Sequence, residues 1–523
     1  MFERQYFHLD RLKRFFINGL LMTAVSLAIR YISVAFNVYI TNRIGASAMG
    51  LFTLVSSVYG FALTLATSGI SLATTKLVSE AIGAVNESDR DITIRAIMKK
   101  SLLFSFAISF TISVALYLLA PNISESILKD TRTLKSLRLL ALTLVPIALS
   151  SSVGGYFVAI RKVHKNAAVQ VLGQAIRIFA CIYLLSIITA TDVESACLSI
   201  IFGGTLAEII SFLIHLISYL RSSRALSKNG IADTSLSKRL IPLTIPLAFS
   251  AYVRSALVTI EHLLIPWGLE KSGSGRNDSL AAYGVMHSVI FPLVLFPAAI
   301  SSSFAGLLVP EISESSAAKD DARIERIIAR VLKTVLLYSI GVAGVMICLS
   351  NEFGSIMKIE NSTAKYILLV SPLIPVMYLD TSVDSILKGL GHQLYCMIIN
   401  ILDALLSVIL VWILLPRYGI LGYIITVYFT ELTNAILSIT KLLCVTKTKF
   451  KIIDWLIKPL FSVIISTSVV SLILSKLSLF AESKIEIALH ILFIVIIYLL
   501  LLCLTKSISP KKLKKSIKNF IKA

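Results

Sequence analysis

Three arginines, Arg30, Arg177 and Arg254, stand in the middle of long apolar stretches. An arginine at the centre of a membrane-embedded helix costs about 2.5–3.5 kcal/mol on insertion scales, so each should face protein or water rather than lipid. A guanidinium keeps its charge and presents a planar fork that matches phosphate oxygens two at a time. Converging arginines would suit a phosphate-bearing substrate; the alternative use of each is a bond to backbone or to a carboxylate on a neighbouring helix. Six acids lie in similar surroundings: Glu208, Glu261, Asp380, Asp384, Asp403 and Glu431. Asp380, Asp384 and Lys388 follow at i, i+4 and i+8, an ion-pair ladder on one helix face. Glu261 comes seven residues after Arg254, on the same face about 10.5 Å away. Glu261, with Asn400 and Asp403, could bind Na⁺ or a proton, or serve as helix-to-helix hydrogen-bonding groups. His215 and His287 read as packing or hydrogen-bonding residues, and Lys76 as one that snorkels to the interface. No phosphate-cradling glycine loop of the ATP-binding type is present, so direct drive by ATP is not expected.

Positioning such residues falls to membrane helices. Of 523 residues, 56% are hydrophobic and 15% charged, against about 25% charged in a soluble chain. That balance rules out a soluble enzyme, a nucleic-acid-binding protein and a disordered scaffold, despite a net charge of +21. Fourteen stretches reach the ~20 apolar residues that a spanning helix needs. Numbered in chain order they lie near 15–40, 50–79, 101–120, 137–160, 167–189, 196–220, 240–268, 280–309, 331–349, 364–387, 394–415, 420–444, 455–475 and 486–505. They are too long, and alternate too little, to be barrel strands. The expected fold class is an all-α polytopic membrane protein with about fourteen transmembrane helices. With the N-terminus in the cytoplasm, Lys and Arg are about threefold more abundant in inner than in outer segments, as the positive-inside rule requires. An even number of spans then puts both termini in the cytoplasm. The basic N-terminus leads into a run too long for a cleavable signal. The tail from Lys506 to Ala523 has a basic, amphipathic pattern suited to anionic lipid. The six cysteines are scattered, without a C-x-x-C pair, and predict neither a metal site nor a disulfide framework.

The chain also reads as a duplication. Shifted by 234 residues, Ala48-Met49-Gly50 meets Ala282-Tyr283-Gly284, Ser79-Glu80 meets Ser313-Glu314, and Lys99 meets Lys333. Shifted by 228, the turn Arg161–His164 meets Lys388–His392. Two six-helix lobes of the same orientation follow, 1–222 and 223–450, then two helices in 451–505 and the basic tail 506–523. A parallel repeat around a midplane site suggests alternating access. Residues that would bend helices agree: Gly69 in span 2, Pro146 and Gly154-Gly155 in span 4, Pro242, Pro246 and Pro266 in span 7, Pro292 and Pro297 in span 8, Pro372 and Pro375 in span 10.

Several short motifs form a set. They are Ile44-Gly45-Ala46, Met49-Gly50-Leu51-Phe52, Ser68-Gly69-Ile70 and Lys76-Leu77-Val78-Ser79-Glu80-Ala81 in the first half. The second half adds Tyr283-Gly284, Phe296-Pro297, Val309-Pro310-Glu311-Ile312-Ser313-Glu314 and Ile386-Leu387-Lys388-Gly389-Leu390-Gly391. Over about residues 15–445 the set resembles the stage V sporulation protein B group, related to MurJ-type lipid II flippases of the MOP (multidrug, oligosaccharide-lipid, polysaccharide) exporter superfamily. The resemblance implies an N-lobe and a C-lobe around a cavity. It also implies flipping of an undecaprenyl-diphosphate-linked saccharide across a bacterial cytoplasmic membrane, the saccharide being lipid II or a related cell-wall, spore-cortex or polysaccharide precursor.

Carried over residue by residue, the resemblance puts Arg30 on the first of two MurJ-type arginines of span 1. Phe36 stands at the second, and Asn37 where that pattern has Asp. The Tyr-x-x-Arg arginine of span 8 is absent, since Tyr283 is followed by Gly284, Val285 and Met286. The expected substrate site is therefore Arg30, Asn37, Arg177 and Arg254, and the expected cation-coupling set is Glu261, Asn400 and Asp403. A cation-coupled drug exporter of the MATE type is the alternative; it would want acids near the midplane of spans 1–5, which have none. An enzyme is not expected, because the longest outer loop, around 121–136, offers only Glu125 and Asp130. No cofactor is implied beyond Na⁺ or a proton. The partners implied are the lipid-linked saccharide and anionic membrane lipids, with the protein as a monomer.

Overall fold

A helix satisfies its backbone polar groups within its own segment, which is why apolar runs in lipid take that form. A computed structural model describes residues 27–84, 87–187, 193–224, 235, 238–301, 312, 313, 315, 320–359, 362–446, 448, 450–477 and 484–508. Helix is the only regular structure among the described residues. Twelve of their helices are long and apolar enough to cross a membrane. A thirteenth span results if the bent pair Thr131–Ala141 and Leu144–Ala159 is taken as one. The expected fourteen is not reached, because predicted span 1 lies partly outside the described residues; a helix over 27–44 is what is described there. Spans 2 to 14 each have a counterpart, from Ala46–Gly83 to Glu486–Leu504. Large apolar side chains such as Phe110, Phe179, Trp412 and Leu504 are exposed along the helices, where lipid tails would meet them. The chain is a multi-pass membrane protein.

Three expected breaks occur where backbone chemistry demands them. Span 2 is interrupted at Ser68 and Gly69, between Ala46–Thr67 and Ile70–Ala84. Gly69 has φ +79°, and a Cβ there would come within 2.6 Å of the Thr244 carbonyl oxygen, so glycine is required twice over. Span 4 bends by 41° at Leu142–Thr143, where Pro146 cannot donate to the Leu142 carbonyl four residues back. Span 10 breaks at a 3₁₀ turn, Ser371–Leu373, that contains Pro372.

Two features of the geometry support the duplication. After span 4 the amides of Ile160, Arg161 and Lys162 donate to the carbonyls of Tyr156, Val158 and Phe157. After span 10 the amides of Leu390, Gly391 and His392 donate to Ile386, Lys388 and Leu387, the same pattern bond for bond. Both ends are left-handed caps, with φ 58° at Arg161 and 85° at Gly391. These caps correspond at an offset of 230, two residues from the register that the histidines suggested. The second feature is a crossing of spans 2 and 8. A Cβ on Gly50 would fall on the backbone carbonyl of Leu280, and one on Gly284 would meet the backbone of Gly50 and the Ala46 carbonyl oxygen at 2.8 Å. Ala46 and Leu280 are themselves equivalent at the offset of 234, so the contact is reciprocal, as across a two-fold axis. Small residues at such a crossing let membrane helices approach to backbone contact.

The chain forms two compact units. One comprises Met1–Asn42, Val285–Ser407 and Ile420–Ala523, the other Arg43–Gly284 and Val408–Gly419. This division by packing differs from the repeat boundaries, since span 1 packs with helices of the second repeat and span 7 with those of the first. Packing and descent are separate properties, and a helix leaving its repeat by a short loop is free to join other neighbours. The core of the second-named unit includes Leu77, Met98, Phe157 and Tyr156, with Tyr156 and Tyr219 edge to face at 5.4 Å. In the first-named unit Val345 and Leu349 of span 9 pack with Val470 and Ile494, which fixes spans 13 and 14 to that helix. The basic tail lies outside the described residues from position 509 onward.

Candidate functional site

Span 8 is where backbone defects and polar side chains meet. An α-helical donor for the Ser288 carbonyl would be the amide of residue 292, which is proline. That carbonyl lies in a π-helical turn, Met286–Ile290, and accepts from Asn37 Nδ2 at 3.0 Å. Further on, the Phe296–Pro297 turn makes the Ala299 amide donate to Phe296 at 3.2 Å, a step of three residues. The Leu295 carbonyl beside it accepts from Arg30 Nη1 at 3.4 Å. Tyr378 Oη donates to the Val294 carbonyl at 2.7 Å, and Tyr338 Oη to the Pro297 carbonyl at 3.0 Å. Arg30 and Asn37 are seven apart, as are Leu295 and Ser288, so span 1 runs antiparallel along the broken face of span 8. Asn37 is half-buried, whereas the Arg30 side chain is exposed.

Next to Arg30, Tyr31 meets Phe296 edge to face, with centroids 6.4 Å apart. Both rings line a groove of about 980 Å³ between spans 1, 8, 9 and 14. Its walls are mainly apolar, with Val34, Leu293, Val345, Ile494 and Leu502 among them. Arg330 and Lys333, near the start of span 9, and Lys506, just past span 14, give one end of the groove a basic rim.

The other expected arginines belong to the second-named unit. Arg177 is half-buried on span 5, in electrostatic range of Glu208 and Cys181, and its Nε is buried without a hydrogen-bond partner. Arg254 is exposed on span 7 and forms no hydrogen bond or ion pair among the described residues. The structure thus brings Arg30 and Asn37 together on one helix, with Arg177 and Arg254 on two helices of the other unit.

The acids divide in the same way. Asp384 Oδ2 accepts from Lys388 Nζ at 3.2 Å and from Asn400 Nδ2 at 3.3 Å. Asn400 Nδ2 also reaches the Cys396 carbonyl at 2.7 Å. Asp380 lies in electrostatic range of Asp384, Asp403 and Lys388 and in hydrogen-bonding reach of Ser438, and its Oδ1 is buried without a partner. Asn400 and Asp403 thereby join Asp380 and Asp384, the two acids of the ladder read from the sequence. Glu261 belongs to the other unit, in electrostatic range of Tyr283. Tyr283 Oη is 2.6 Å from His262 Nδ1. Sequence reasoning passed over His262; its signal was a histidine adjoining an intramembrane acid. The two histidines that were singled out take the roles expected: His215 stacks on Phe157 at 6.5 Å, and His287 Nε2 lies 3.0 Å from Tyr423 Oη. Among the described residues no group of three His, Cys, Asp or Glu side chains is placed to hold a metal ion.

A family model described as "Polysaccharide biosynthesis protein" matches residues 16–316, and one described as MatE matches residues 273–413. The stage V sporulation protein B of Bacillus subtilis (strain 168) is 23% identical over 513 residues, covering 96% of this chain and 98% of that protein. Among solved structures, the lipid II flippase MurJ in an inward closed conformation superposes with a TM-score of 0.71 at 13% identity, covering 93% of this chain and 98% of that one. An inward-facing multidrug resistance MATE family transporter of the MOP superfamily gives a TM-score of 0.62 at 13% identity, covering 82% and 100%. The fold is that of the MOP superfamily.

Proposed function

Because the chain belongs to the polysaccharide biosynthesis protein family, we propose that it is a flippase for undecaprenyl-diphosphate-linked saccharide, lipid II or a related wall, spore-cortex or polysaccharide precursor. It works by alternating access, as a monomer in a bacterial cytoplasmic membrane with both termini in the cytoplasm. The observation that carries this reading is the exposed guanidinium of Arg30, whose neighbour Tyr31 lines the apolar groove. An anion-binding fork next to a hydrocarbon-lined cleft meets both requirements of a polyprenyl diphosphate. The single long bond from Arg30 to Leu295 leaves most of its five donors for phosphate. Arg177 and Arg254 are further proposed phosphate-binding positions on spans 5 and 7, and Asn37 holds span 1 on span 8 close to Arg30. The Asp380, Asp384, Asn400 and Asp403 cluster supports coupling to Na⁺ or a proton, with Glu261 beside Tyr283 as a second titratable position. A drug exporter of the MATE type is less well served, since Arg30 would repel a cationic drug.

The test is Arg30. Losing one charge-assisted contact costs about 1.5–3 kcal/mol, or roughly 10- to 150-fold in affinity. Arg30→Ala should lower the appearance of precursor at the outer leaflet by that order at unchanged expression. Arg30→Lys, which keeps charge without the fork, should fall in between. Parental flipping by Arg30→Ala would refute the proposal, and selective loss of cationic-dye efflux would favour the drug exporter.

A further inference from the structure

The basic rim of the groove is not needed to explain Arg30. Arg330 and Lys333 are i and i+3 on span 9, hence neighbours on one face. The turn after span 14, with φ 56° at Lys506, brings a third cation to the same end of the groove. Arg330 and Lys506 have no ion-pair partner among the described residues, and Lys333 shares the field of Asp454 with Lys458, which already holds that carboxylate at 2.5 Å. Basic residues at helix ends ordinarily snorkel toward bulk phospholipid. These three instead come from two helices far apart in the chain and line one apolar cleft.

Their height in the membrane is fixed by span 9. Tyr338 reaches the Pro297 carbonyl, two residues from the Leu295 carbonyl that Arg30 touches. Arg330 precedes Tyr338 by eight residues, about 12 Å of helix rise. The rim therefore lies well apart from the level of Arg30, whose neighbour Tyr31 lines the groove, and sits at the cytoplasmic ends of spans 9 and 14 in the proposed topology.

We infer that Arg330, Lys333 and Lys506 form a loading site, which takes the diphosphate of a polyprenyl-linked substrate from the inner leaflet while its chain lies in the groove, before the head group passes to Arg30. The inference rests on the flippase reading and adds a second phosphate station to it. Charge complementarity commits the occupant: three cations around an apolar cleft suit a lipid bearing two or more negative charges on one slender head.

The experiment uses the full-length protein in nanodiscs of zwitterionic lipid, titrated with a fluorescent polyprenyl diphosphate. Each basic side chain near the membrane surface contributes about 1 kcal/mol toward an anionic head. The triple variant Arg330→Gln, Lys333→Gln, Lys506→Gln should therefore bind about 100-fold more weakly. Arg330→Lys alone should stay within about fivefold of the parent, which guards against a folding artefact. Excess phosphatidylglycerol should not displace the probe from the parent. Parental affinity in the triple variant, or equal displacement by phosphatidylglycerol, overturns the loading site. The function fails separately: if Arg30→Ala flips at the parental rate while the triple variant has lost binding, the rim is a lipid-diphosphate site and the flippase reading is wrong. If Arg30→Ala abolishes flipping and the triple variant binds normally, the flippase reading stands and the loading site is wrong.

Discussion

Asn37 and Arg30 look alike in the sequence, as polar residues in an apolar helix, yet their bonds give them different work. The Asn37 amide serves a carbonyl that Pro292 leaves without its helical donor. Replacing it with leucine removes that hydrogen bond, at a cost of about 0.5–1.5 kcal/mol. Asn37→Leu should therefore lower the thermal stability of the purified protein, whereas Arg30→Ala, exposed and held by one 3.4 Å bond, should leave the melting temperature nearly unchanged. Melting curves of the two variants side by side decide the point; equal stability losses would assign Arg30 the same structural duty as Asn37. The presence of these two residues was legible because charge and amide groups stand out against hydrocarbon. Their partners were not, since a carbonyl carries no residue signature and lies more than 250 positions away. The one hint was Pro292, four residues beyond the acceptor of Asn37.

Among the elements, span 10 concentrates the acids. Asp380 and Asp384 lie one turn apart, and spans 11 and 12 bring Asp403 and Ser438 into range of Asp380, while Lys388 pairs with Asp384. Asp380→Asn keeps the shape and removes one titratable group from the cluster. If the cluster couples transport to a cation, the variant should show a flattened dependence of flipping on pH or Na⁺ while still expressing normally. An unchanged profile would make the cluster a hydrogen-bonded clamp between helices. The ladder on span 10 could be read from i, i+4 spacing, and the Asp384–Lys388 pair forms. The approach of Asp403 could not, because helix-to-helix register depends on bends such as that at Ser371–Leu373. The break at Gly69 was readable, but the Thr244 carbonyl that forbids a side chain there was not.

For the whole molecule, hydropathy and the distribution of basic residues carried the architecture, since both reflect how each segment meets the bilayer. They led to a fourteen-span prediction with a checkable orientation: single cysteines at Ser274 and Ser483, in a cysteine-free background, should label from outside in sealed cells, and cysteines at Ser227 and Ser516 should not. Labelling of the latter pair would overturn the topology. The two packing units were illegible for a physical reason, because faces that meet lipid and faces that meet protein are equally apolar. The crossing of spans 2 and 8 has a consequence of another kind. In a dimer of identical subunits, one codon would write both sides of such a contact, and any mutation would strike twice at once. Here Gly50 and Gly284 are written separately. A lesion on one side can arise alone, persist, and be answered later by a change on the other, a path of adaptation closed to a contact written by one codon.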